Sequence, residues 1–560
     1  MLKIPRLLSL AGIVGVAAAA ATVGGAAQSW SNGSVSWSGC GNNLRLCTEV
    51  ADAQTAFGHY VGHDEPSVLF YSDQPGSGNH MQYNLTLPVE PPGAFNDEKG
   101  YSGEITPAYW FGMAMCATQS YPEQTDHCTP DSDSNIVDPS VPGSYQNAPG
   151  AAYMELQFYP PGFAPQFADD SCDATRWCVA LTIDSLAEDP INGTTLNPTC
   201  TAEVGSIEYV NFAYLTRNGA PLGPPNPLDF QFINSGDPQP VAGRANNDTL
   251  FLNQGDNVTV TLSDTSQGLS TAVTDNTTHQ TGSMVASAAN GFGQIQYAPE
   301  GSSCTEIPYD FHPMYSTSGP TTRVPWAAHS YNVAFDAETG HFDFCTHLDA
   351  NTGLCNGEEG VPGDQEPADG DDYGCYSDTQ NINFSYMPPG NQPAAYCVAA
   401  NDPGFDGTSY NHYWPNGTER NATSILFSSP LTGENYTSAY PQLAFEADLP
   451  RIEASDFGGS CVRLTGEGCT DPPVSDDGTP VNFYPYYSTV STATAGPGDS
   501  GSASKCDWGV GDTLPYTISN YGKDAQYGPL YKLAYWTFGG GGAIVRQYDD
   551  NNSGAFANPC

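Results

Sequence analysis

The residue best suited to chemistry is Glu155, within Tyr153-Met154-Glu155-Leu156-Gln157-Phe158-Tyr159. This segment alternates strictly. As a strand it turns Met154, Leu156 and Phe158 to one side, and Tyr153, Glu155, Gln157 and Tyr159 to the other. A carboxylate set among an amide and two phenol rings suits sugar chemistry, because rings stack on sugar faces and an acid acts at the glycosidic centre. Glycoside cleavage needs a second carboxylate about 5–9 Å away, the separation setting retention or inversion. Asp184 and Glu208 lie on neighbouring candidate strands and complete the candidate catalytic set. Tyr153, Gln157 and Tyr159 are the candidate substrate-binding residues. The other reading of this face is a solvated outer sheet surface that carries a glutamate. No short glycosidase motif with paired acids on one strand appears.

A second cluster suggests a metal. Asp364, Glu366, Asp369 and Asp371, with Asp372 beside them, crowd a Gly-rich loop near Cys355 and Cys375; Asp402 and Asp406 follow. Hard oxygen ligands on a constrained loop suit structural calcium, although the spacing is not that of an EF-hand. A solvated acidic loop is the alternative. Histidines offer less. His59 and His63 stand four apart, but Tyr60-Val61-Gly62 supplies no glutamate between them for a metalloprotease site. His341 and His347 flank Cys345 without a ligand pattern. Gly498-Asp499-Ser500-Gly501 mimics a serine-protease nucleophile segment, yet no matching histidine segment precedes it, and it reads as coincidence.

The elements that would position these residues are strands. Val179 to Asp184 places Val179, Leu181 and Ile183 on one face, and Glu208 to Tyr214 reads as a third strand. Asn257 to Ser263 alternates with Val258, Val260 and Leu262 inward. Asp264 to Gly268 is the expected turn, Leu269 to Thr274 the return, and Asp275 to Gly282 a second turn. Tyr535 to Tyr548 reads as two strands around Gly539 to Gly542. Phe311-His312-Pro313-Met314-Tyr315-Ser316-Thr317 resembles Phe483-Tyr484-Pro485-Tyr486-Tyr487-Ser488-Thr489, which suggests equivalent strands in related sandwiches. Long helical patterns are absent. The fold class expected is all-β: antiparallel jelly-roll or lectin-like β-sandwiches, rich in disulfides. Residues 28–345 form the first sandwich region, 346–406 an acidic Cys-flanked connection, and 407–560 a second β-rich domain. Thr494 to Ser504 reads as a flexible loop.

Trp110-Phe111-Gly112-Met113-Ala114-Met115-Cys116, Glu155-Leu156-Gln157-Phe158-Tyr159-Pro160-Pro161-Gly162 and Phe405-Asp406-Gly407-Thr408-Ser409-Tyr410 resemble segments of large exported microbial all-β proteins of no known activity. The resemblance spans most of the mature chain and transfers no catalytic residue.

Export is also written into residues 1–27. Lys3 and Arg6 precede an apolar run from Leu7 to Ala21, and Gly25-Ala26-Ala27 sets small residues where a signal peptidase cuts, after Ala27. No second run long enough for a membrane span follows, and no hydrophobic tail of the lipid-anchor type is present. All 16 Cys lie beyond the cut, an even number that reads as disulfides in an oxidising compartment. Cys40 and Cys47, Cys116 and Cys128, Cys172 and Cys178, Cys345 and Cys355, and Cys461 and Cys469 are neighbours, so short loops are the simplest pairing. None has zinc-ligand spacing. Eleven Asn-x-Ser/Thr sequons occur, at Asn32, Asn84, Asn192, Asn247, Asn257, Asn276, Asn383, Asn416, Asn421, Asn435 and Asn551. They mark surface positions if the host glycosylates, or follow from composition alone.

The charge narrows the partners. The chain carries 62 Asp and Glu against 15 Lys and Arg, a formal charge of −47. Carboxylates, 62 of 560 residues, are ordinary in number; bases are scarce. Nothing here could neutralise nucleic-acid phosphates or hold an anionic membrane surface. In acid, where carboxylates neutralise, little positive charge is left to repel itself, so tolerance of acidic surroundings is expected. The reading is a secreted carbohydrate-active protein, a polysaccharide hydrolase or lyase using strand carboxylates, with an extracellular polysaccharide or glycan as partner. The alternative is a non-catalytic glycan-binding or cell-surface structural protein on the same scaffold.

Overall fold

The structure is a computed structural model. It describes residues 60–61, 63–89, 105–121, 127–136, 149–159, 176–189, 194–204, 208–229, 248–322, 332–340, 398–399, 425–449, 486–489, 506–510, 517–518, 530–535, 543–549, 556–558 and 560.

Among the described residues two large antiparallel sheets, of 11 and 10 strands, dominate, with three two-stranded pairs beside them. The first runs, edge to edge, Phe251–Asn253, Arg176–Leu186, Ala151–Tyr159, Ile105–Cys116, Ala334–Gly340, His63–Tyr71, Gln442–Leu449, Ala543–Asp549 and Leu530–Tyr535. Glu208–Tyr214 also pairs with Arg176–Leu186. The second runs Thr281–Val285, Gly268–Asp275, Asn257–Thr265, His80–Thr86, Leu426–Ser428, Asp507–Val510, Tyr486–Thr489 and Thr517–Ile518. Both sheets set strands from either side of the 346–406 region next to each other: His63–Tyr71 pairs with Gln442–Leu449, and His80–Thr86 with Leu426–Ser428.

The alternating patterns decide which side chains meet between the sheets. Met154, Leu156, Phe158, Val179, Leu181 and Ile183 of the first sheet share one buried core with Val258, Val260 and Leu262 of the second. Phe335 stacks on Phe427 across the interface, ring centroids 4.3 Å apart, and Tyr83 meets Phe335 edge-on at 4.7 Å. Aromatic pairs of this kind add about 0.5–1.5 kcal/mol each beyond the area they bury.

The two sheets differ on their outer faces. Asn257–Thr265 alternates buried and half-buried positions, as a sheet with one wet face does. Arg176–Leu186 is buried almost throughout. A second hydrophobic layer explains this: Tyr121, Ile136, Leu196, Val204 and Met314 pack with Trp110 and Tyr153 on the outer side of the first sheet. The layer includes the seven-residue helix Pro198–Val204. Asn197 precedes that helix, and its side chain accepts the Cys200 amide at 3.1 Å.

Several local expectations shift. The strand from Asn257 extends to Thr265 and its partner begins at Gly268, so Ser266 and Gln267 alone make the turn. Gly268 takes φ +108, which only glycine adopts without strain, and this is what permits so tight a reversal. Of the repeated motif, Tyr486–Thr489 is a strand, whereas Phe311 to Thr317 makes one isolated bridge, Pro313 to Met115. The latter segment crosses between the sheets. Phe311 and His312 accept from Leu269 and Cys116 of opposite sheets, at 2.8 and 2.9 Å. Equivalent strands are therefore not what the shared residues encode. Leu530–Tyr535 and Ala543–Asp549 pair, Tyr535 opposite Ala543, so the first strand ends where it was expected to begin.

Among the cysteines, Cys116–Cys128 joins as the neighbour rule expects. Cys200–Cys304 and Cys506–Cys560 do not; they link residues 104 and 54 apart. Strands from distant segments lie side by side here, so proximity in space outweighs proximity in sequence. The disulfides indicate an oxidising environment. Among the described residues no helix is long and apolar enough to cross a membrane.

Candidate functional site

Register brings the expected carboxylates towards one another. Glu155 lies opposite Gly112 on one side and Thr182 on the other. Asp184 lies opposite Tyr153 and Val210. Glu155 and Asp184 are thus diagonal neighbours on one face, a relation that places residues about 7–8 Å apart. Glu208 pairs with Leu186, two residues after Asp184 on one strand and two before Val210 on the other, and Tyr159 pairs with Cys178.

The same face is closed. Tyr153 is 2% exposed, Gln157 3% and Asp184 7%; Glu155 is half-buried. Gln157 donates from Nε2 to Glu155 Oε2 at 2.6 Å and accepts from the Thr182 hydroxyl at 3.0 Å. The Tyr153 ring meets Trp110 edge-on, centroids 5.6 Å apart. Its hydroxyl lies over Gly112, where even a Cβ would fall 1.6 Å from it. The ring expected to stack on sugar therefore packs on the protein's own second layer. Asp364, Glu366, Asp369 and Asp371, and with them the calcium loop, lie outside the described residues. So do His59, His341, His347 and Ser500.

Another group converges instead: Asp131, Asp264 and His312. Three segments supply it. Asp264 is the penultimate residue of Asn257–Thr265, and its amide donates to the Asn79 carbonyl at 2.9 Å. His312 sits on the crossing segment. There the Cys116 amide fixes the His312 carbonyl at 2.9 Å, and the Met314 amide bonds Ala114 at 2.9 Å. Asp131 sits on the loop that Cys116–Cys128 ties to the end of strand Ile105–Cys116. The Asp131 amide donates to the Pro313 carbonyl at 2.9 Å. Asp133 accepts from the Thr317 amide and hydroxyl at 3.0 and 2.8 Å, so the loop is sewn along the crossing segment. Asp131 holds φ +54, a left-handed conformation that Asp tolerates better than most residues.

The atoms that could bind a ligand all lie within 4.8 Å of one another. His312 Nδ1 is 2.8 Å from Asp264 Oδ1, the two side chains 20% and 13% exposed. Asn79 Nδ2 donates to Asp131 Oδ1 at 3.1 Å. Burial, then the hydrogen bond and charge of Asp264, push the Asp131 carboxyl up to about 7, against the opposing pull of Asn79 and His312. The hydrogen bond to Asp264 raises His312 above its ordinary value, against the opposing effect of burial. Two carboxylates and an imidazole so placed could hold a metal ion. Sequence reasoning missed the set because no spacing rule joins residues 131, 264 and 312. The one signal was His312 itself, inside a motif whose second copy has Tyr484 at that position.

A groove of about 620 Å3 opens on the outer side of the second sheet. Asn84, Thr86, Asn257, Ser428 and Asp507 line it with amides, hydroxyls and one carboxylate, and Leu431 adds an apolar edge. Thr259 donates to Asn84 at 2.8 Å and Asn257 to Thr86 at 3.0 Å, which orders the polar rows beside it.

No protein family, curated protein or solved structure matches this chain.

Proposed function

We propose that this is a secreted, non-catalytic glycan-binding protein on a lectin-like β-sandwich, with the groove beside Asn84 as its sugar site. The observation that carries the reading is the contrast between two faces. The Glu155 face is sealed by Trp110, Tyr153 and the layer above them. The groove is open and Asp507 is the one charged side chain among its described lining; its amides and hydroxyls, which exchange hydrogen bonds with sugar hydroxyls, lie beside an equal apolar lining from Leu426, Phe427, Leu431 and Ala439. An extracellular polysaccharide or cell-surface glycan is the partner this chemistry fits. A jelly-roll connectivity of the two sheets belongs to the same reading.

The second reading is a polysaccharide hydrolase or lyase that uses Glu155 with Asp184. The diagonal register favours it, since it sets both acids on one face of adjacent strands, as a pair of catalytic carboxylates requires. One experiment separates the two. The protein is incubated with a panel of polysaccharides, and binding, new reducing ends and unsaturated products are scored. Binding without cleavage, weakened about tenfold (~1.4 kcal/mol) in the Thr86→Val/Asp507→Ala variant, supports the groove. Product release that Glu155→Gln abolishes would establish the enzyme instead.

A further inference from the structure

We propose that Asp131, Asp264 and His312 bind one borderline first-row divalent ion of the zinc type, with the Asn79 side chain as fourth ligand. The donor set argues for the class of ion. Calcium takes six to eight oxygens as a rule. Among the described residues two carboxylates converge here, and the third group offers nitrogen. Carboxylate oxygen plus imidazole nitrogen at low coordination number suits zinc and its neighbours.

Asn79 supplies a separate observation. Its Nδ2 donates to Asp131, while its Oδ1 is buried with no protein partner. A half-turn of the amide about its last side-chain bond exchanges these atoms. It would present Oδ1 to the ion and turn Nδ2 into the buried position that Oδ1 now holds, so the bond given up to Asp131 is replaced by ligation of the ion. The backbone needs no change, because Asp264 already holds the Asn79 carbonyl at 2.9 Å. The scaffold is rigid in the way a metal site requires. The Cys116–Cys128 bridge and the Asp133–Thr317 bonds hold Asp131 against the crossing segment, and strand pairing holds Asp264. An ion there would join a loop, a hairpin end and a crossing segment at one point.

The test is metal uptake by the whole protein at neutral pH. The chain is stripped with chelator, dialysed against Zn2+, Co2+ or Ca2+ singly, and weighed by native mass spectrometry. One equivalent of Zn2+ or Co2+ is expected to bind per chain, at least about tenfold more tightly than Ca2+. Asp264→Asn and His312→Gln should each weaken Zn2+ binding at least tenfold, and Asn79→Leu should weaken it several-fold. Bound Co2+ should show a visible spectrum of mixed nitrogen and oxygen ligation, lost in His312→Gln. The far-ultraviolet circular dichroism of each variant without metal should match that of the stripped parent, which guards against reading misfolding as ligand loss. Absence of uptake, uptake unchanged by the Asp264 and His312 variants, or preference for Ca2+ would overturn the assignment.

Discussion

At the scale of single residues, Gln157 shows how a side chain that reads as a sugar contact becomes part of the fold. It satisfies Glu155 with its amide hydrogen and Thr182 with its oxygen. Gln157→Leu removes both bonds and strands a buried hydroxyl, so we expect a loss of about 1–3 kcal/mol in denaturant unfolding. Glu306 predicts a pH effect. Burial, followed by the charge of Asp229, raises its carboxyl from 4.5 to about 7. The folded form therefore holds this proton where the unfolded chain releases it. The resulting stabilisation is complete below about pH 4.5 and is lost as pH rises towards 7. Glu306→Gln should flatten that decline and unfold later than the parent above pH 7, measured as thermal midpoint against pH. An unchanged profile would refute the assignment.

Elements carry the clearest lesson about what the chain reveals before it folds. Met154, Leu156 and Phe158 alternate with polar and phenolic neighbours, and that alternation alone fixes which side meets the second sheet. The opposite side could not be judged the same way. Tyr, Glu and Gln look like a wet face, but Tyr121, Leu196 and Met314 arrive from other segments to bury Tyr153, and Gln157 is buried as well. Asp131, Asp264 and His312 were invisible for the same reason, since only the crossing of Phe311 to Thr317 between the sheets brings them together. The expected hairpin was legible to within two residues because both its apolar rows are local. Two substitutions test these elements. Gly112→Ala drives a methyl into the Tyr153 hydroxyl and should cost at least about 1–3 kcal/mol. Replacing Cys116 and Cys128 together with Ser frees a closure of 12 residues and should cost about 3 kcal/mol, read as a lowered thermal midpoint.

At the scale of the molecule, the scarcity of bases meets the buried acids. With 15 Lys and Arg and 10 His along the whole sequence, little repulsion builds when carboxylates protonate. Glu306 adds a stabilising increment in the same direction. We expect the far-ultraviolet circular dichroism at about pH 3 to match that at neutral pH; cooperative unfolding above pH 4 would show the charge argument to be wrong.

The pairing of His63–Tyr71 with Gln442–Leu449 has a further consequence during synthesis. A strand near the start of the chain waits for a neighbour made far later, and until then its backbone donors and acceptors form an open sheet edge. Such an edge recruits foreign strands, and closing it over so long a loop is slow. The emerging polypeptide is thus best kept extended until it is whole. A chain released before residues 442–449 are made would carry that open edge with it, and is hazardous for that reason.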